Sequence, residues 1–82
     1  MGTKKNPGKF DCYEKAKDDE PMFVLLARDP LFQELLELWA NRREMMVKCG
    51  LRPTQDMEMV SEARKCAEEG ASWRRTNWAN KK

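Results

Sequence analysis

Between the pair Asp29-Pro30 and the pair Cys49-Gly50, apolar residues recur at helical spacing, and this unbroken period limits the chain more than any other feature. Leu31, Leu35, Leu38 and Met45 form one seam, and Phe32, Leu36, Trp39 and Met46 form its neighbour. Gln33, Glu34, Glu37, Asn41, Glu44 and Lys48 are left for a wetted face. The ends are signalled too. Asp29 can accept hydrogen bonds from free N–H groups, and Pro30 fits the first helical position. Gly50 suits a left-handed cap that brings Leu51 back against Met46. After Arg52-Pro53, Thr54 can cap another helix. That helix carries Asp56 and Glu58 near its positive end and a stripe of Met57, Val60, Ala63, Ala67 and Ala71. A short loop makes the two helices antiparallel neighbours, the Leu/Trp face of one filled by the Ala-rich face of the other. Gly70 weakens the second helix near its end.

Upstream the pattern is weaker. Residues 1–9 are polar, contain Gly2, Pro7 and Gly8, and read as a flexible leader. Asp11 and Glu14 have capping-box spacing, which predicts a short helix that exits at Asp18-Asp19-Glu20. Pro21 to Ala27 is an apolar run too short for periodicity to decide. It is read as a helix, because Leu, Met and Ala favour one and a lone strand would need a partner. The alternative is a strand over 21–27 and an α+β fold. The expected architecture is all-α: one small helical domain over residues 10–78, with a long antiparallel helix hairpin, short N-terminal helical elements, and a basic tail at 79–82.

Several function classes fall away. No apolar stretch approaches the roughly 20 residues of a membrane helix, and the basic start lacks the hydrophobic segment of a secretory signal, so a cytoplasmic location is expected. The chain has no histidine, which removes histidine-based hydrolase triads, and it lacks a glycine-rich phosphate loop. Cys12, Cys49 and Cys66 have no paired ligand spacing; Cys49 and Cys66 read as small buried groups on helices. No cofactor, no metal site and no catalysis are expected. The acids Asp18, Asp19, Glu20 and Asp29 cluster in sequence without anything to fix a geometry for Mg²⁺. Eighty-two residues support only a small core, so a homo-oligomer is expected.

Two arrangements stand out. Arg28 precedes the helix start at Asp29-Pro30, where N–H donors and a guanidinium together can bind phosphate; the competing role is an internal ion pair with Glu20 or Asp29. Lys15, just before Asp18-Asp19-Glu20, is a similar case. Trp73, Arg74, Arg75 and Trp78 interleave aromatic and cationic groups, a combination that stacks on bases or grips a partner. Residues 11–69 hold fourteen acids against nine bases, whereas the ends hold seven bases and no acid. That asymmetry admits nucleic-acid contact as a minor alternative.

The block Asp11-Cys12-Tyr13-Glu14-Lys15-Ala16, then Asp19 to Pro30 and Trp39-Ala40, resembles short proteins encoded by tailed phages and prophages. The resemblance implies a viral accessory protein and leaves its chemistry open. In that context the leading expectation is sequestration of a small phosphorylated or nucleotide-derived host signal by an oligomer. Lys15 and Arg28 would supply charge, Asp19 and Glu20 hydrogen bonds to ribose or base, and Phe23 or Trp39 the pocket wall. The alternative is direct inhibition of a host defence or regulatory protein through the acidic body or an exposed Leu/Trp surface.

Overall fold

The computed structural model describes residues 1–78; the basic tail expected at 79–82 lies outside them. The fold is all-α. Helix α1 spans Phe32–Lys48 and helix α2 spans Asp56–Asn77, and the two pack against each other as a hairpin. No strand occurs among the described residues, which removes the α+β alternative. No helix there is long and apolar enough to cross a membrane.

Helix α1 starts later than the Asp29-Pro30 pair suggests: Leu31 is its N-cap residue and no side chain caps it. Asp29 closes the turn just before, its Oδ1 accepting the Leu31 N–H at 2.8 Å and its carbonyl the Phe32 N–H at 3.0 Å. The other end is a Schellman motif. Gly50 sits at φ +79°, its N–H donates to Val47 O, and the Leu51 N–H donates to Met46 O. The start of α2 differs from expectation. Thr54 contributes its backbone carbonyl to Met57 N–H rather than a side-chain cap, and no side chain caps this end. Asp56 instead turns inward, where Arg52 Nε at 2.7 Å and Arg43 Nη1 at 3.2 Å donate to its Oδ2.

The core lies between the helices. Phe32 and Ala40 of α1 and Val60, Ala63 and Ala67 of α2 are buried, with Leu36, Trp39, Met57 and Met1 partly buried around them. Alanines let the backbones approach, and Gly70 takes this furthest. A side chain there would run into the Phe32 ring, so the residue that weakens the helix locally is what lets Phe32 lie on it.

Only one seam of α1 is spent on this packing. Phe32, Leu36 and Trp39 face α2, while Leu31, Leu35, Leu38 and Met45 are exposed, and Met46 is too. The expectation that the whole broad face is core is corrected accordingly. A partner helix of small residues subtends too narrow an arc to cover both seams. The cysteine reading changes as well: Cys49 is exposed beyond the end of α1, and Cys66 is half-buried.

The short N-terminal helices do not form. The Cys12 carbonyl accepts from both Lys15 and Ala16, giving one turn that does not propagate. The Asp11 carboxylate, expected to cap that helix, accepts instead from Gly8 N–H at 2.8 Å and Gly2 N–H at 3.3 Å and folds the leader back. Residues 21–27 are neither helix nor strand. Pro21 on one side and the Leu26–Asp29 turn on the other leave too few residues to offset helix nucleation. The segment runs as an extended strap to the C-terminal half of α2, tied to it where Arg74 Nε donates to Arg28 O at 3.2 Å.

Candidate functional site

The leader, the strap and α2 enclose an open cleft of about 740 Å³. Its walls include Thr3 and Lys4 of the leader, Leu25 to Arg28 of the strap, Phe32, and Cys66, Glu69, Gly70 and Trp73 of α2. Each position follows from packing already described. Asp11 holds the leader, the Arg74 hydrogen bond holds the strap, and Gly70 lets Phe32 form the floor.

Arg28 is the best-defined polar group at this cleft. Its side chain is exposed, and its guanidinium carbon lies 5.1 Å from the centre of the Trp78 ring. The expected competing role, an ion pair with Glu20 or Asp29, is not formed; Arg28 makes no ion pair with any described residue. Stacking on an indole orients a guanidinium while leaving its edge N–H groups available to an oxyanion. Two arrangements far apart in sequence therefore meet: Arg28 from the strap, and Trp73, Arg74 and Trp78 from the end of α2. Trp73 is 45% exposed in the cleft wall, Arg74 is half-buried under the strap, and Arg75 is exposed and does not line the cleft.

The remaining residues of the expected ligand set do not gather here. Lys15 is exposed and donates to Lys9 O at 3.2 Å; Glu20 accepts the Lys17 N–H at 3.0 Å; Asp19 is exposed. Phe23 is 85% exposed, so it lines nothing. Trp39 belongs to the hairpin core, half-buried with the Arg43 guanidinium carbon 5.1 Å from its ring centre. The acids Asp18, Asp19, Glu20 and Asp29 do not converge. Among the described residues no three His, Cys, Asp or Glu side chains come together as a metal site would require.

Lys4 and Glu69 are the charged wall residues that sequence reasoning missed. Lys4 lies in a leader with no periodic signal, which the Asp11 hydrogen bonds fold back on itself and the ion pairs of Lys9 with Glu58 and of the Met1 amino group with Glu62 hold against α2. Burial pushes the Cys66 thiol above its ordinary value, against the opposing pull of the N-terminal amino group and with Glu69 adding to the rise, which favours the neutral thiol in the cleft wall. No protein-family model, curated protein or solved structure matches the chain.

Proposed function

We propose that the protein binds a small phosphorylated ligand of the nucleotide class in the cleft between leader, strap and α2. The observation that carries this reading is Arg28, without an ion-pair partner among the described residues and held on the Trp78 ring at the edge of a cleft whose volume suits such a ligand. Arg28 and Lys4 contact the phosphate, Trp73 offers an aromatic surface for the base, and Glu69 accepts hydrogen bonds from ribose hydroxyls. The resemblance of residues 11–40 to short phage proteins fits a binder that withdraws a host signal and performs no chemistry on it.

Calorimetric titration with ADP, a cyclic mononucleotide and a cyclic dinucleotide tests the proposal. At least one should bind. Arg28→Ala should weaken it by about 1.5–3 kcal/mol, roughly 10- to 150-fold, with Arg28→Lys recovering part of the loss because it retains charge without the planar fork. A folded Arg28→Ala protein with unchanged affinity, or no binding by any of the three ligands, would refute it.

A further inference from the structure

The outer seam of α1 is independent of the cleft. Leu31 is 52% exposed, Leu35 41%, Leu38 48% and Met45 60%, at spacings that place them in one line along the helix, with Met46 beside them. Arg42 continues the line, and its aliphatic stem can lie along apolar surface while its charge stays wet. Phe32, Leu36 and Trp39 of the inner seam face α2, and nothing within the described residues covers the outer one.

Area indicates what does. The accessible surface of the chain is 7002 Å². A monomer of this mass that buried surface at the usual rate would expose about 5,100 Å², roughly 1,900 Å² less. A two-fold interface of ordinary size covers about 800 Å² on each chain, which fits within this excess alongside the surface exposed by the irregular leader and strap. Charge along the seam fits the same arrangement. Glu34 lies near the start of α1 and Arg42 two turns further on; both are exposed and neither has an ion-pair partner among the described residues. Side by side in antiparallel sense, two copies of α1 set the acidic start of each against the basic stretch of the other, whereas a parallel pair would align like charges.

We infer that the outer seam of α1 is a self-association surface, and that the protein is a two-fold dimer joined by antiparallel α1 helices that cross at Leu38, with Leu35 beside it. Each copy then keeps its own cleft open on the far side of the hairpin. The surface repeats the helix-on-helix burial of the monomer core with larger side chains.

Sedimentation equilibrium at tens of micromolar should give twice the chain mass of 9.7 kDa. Leu35→Glu with Leu38→Glu should give the monomer mass at every concentration while the helical circular dichroism is retained. A second pair of variants does not depend on that protein folding. Glu34→Arg alone and Arg42→Glu alone should each raise the dimer dissociation constant about four- to twentyfold at low salt, since the two-fold axis breaks two ion pairs at once. The two together should restore it. Wild-type protein at the monomer mass throughout would overturn the inference, and so would a dimer indifferent to all four substitutions. A wild-type monomer that instead buries this seam against a different protein would overturn it as well.

Discussion

Adding a methyl group at Gly70 sets two effects against each other. Alanine is the better helix former by about 1 kcal/mol, which favours the substitution. The new carbon would collide with the Phe32 ring, and overpacking of that kind costs about 1–3 kcal/mol. Gly70→Ala should therefore lower stability in the wild-type protein yet raise it by up to about 1 kcal/mol in a Phe32→Ala background, where only propensity remains. Urea unfolding of the four proteins measures both signs. The same sign in both backgrounds would show that Phe32 does not rest on Gly70. In the sequence Gly70 is legible only as a weak point, since what it accommodates is 38 positions away. Asp29 and Gly50 were readable because their partners are a few residues distant. Arg28 was readable as a helix-start cation; its Trp78 partner was not, because nothing local links the strap to the end of α2.

Between the helices, the polar contacts make stability depend on acidity. The Arg52 guanidinium, aided by Arg43, holds the Asp56 carboxyl below its ordinary value, and Arg64, aided by Lys48, does the same for Glu44. Arg43 to Asp56 and Arg64 to Glu44 both join α1 to α2. A carboxyl whose folded value is depressed adds stability that is complete above its unfolded value and disappears as pH falls through the folded one. The urea midpoint should thus hold steady from neutrality toward pH 5 and decline as the solution passes below the ordinary values of 4.5 for Glu and 3.8 for Asp. Asp56→Asn should lower the midpoint at neutral pH and shrink the acid-induced decline; an equal decline in the variant would discount this pair. Both helices followed from periodicity and the Gly50 stop, and their antiparallel sense from the short loop, whereas the side-chain caps expected at Asp29 and Thr54 are absent. Sequence could not say which seam of α1 faces inward, because two adjacent apolar stripes are equivalent until a partner of definite width is set against them. The strap was misread for a related reason: its apolar residues satisfy a helical pattern, but nucleation needs more chain than Pro21 and the following turn leave.

Taken whole, the chain is extended, 44 × 29 × 20 Å with a radius of gyration of 13.9 Å, against about 12 Å for a compact domain of this length. The difference reflects a hairpin with irregular chain laid along it instead of a third helix. This division has a kinetic consequence. Residues 32–77 make contacts that are close in sequence, joined by a tight turn at Gly50, and such topology folds in microseconds to milliseconds. The leader and strap reach α2 across much longer loops, through the Lys9–Glu58 ion pair at 2.9 Å, the Arg74 hydrogen bond and the stacking of Arg28 on Trp78. They should therefore attach after the rate-limiting step. Val60→Ala should slow folding, whereas Arg28→Ala and Asp11→Ala should leave the folding rate nearly unchanged and speed unfolding. Stopped-flow measurements across urea concentrations would separate the two limbs, and a folding limb slowed by Arg28→Ala would contradict this order. The cleft is in this sense the last part of the protein to close and the first to open, so the proposed ligand would enter and leave without unpairing the helices, at a rate set by the strap alone.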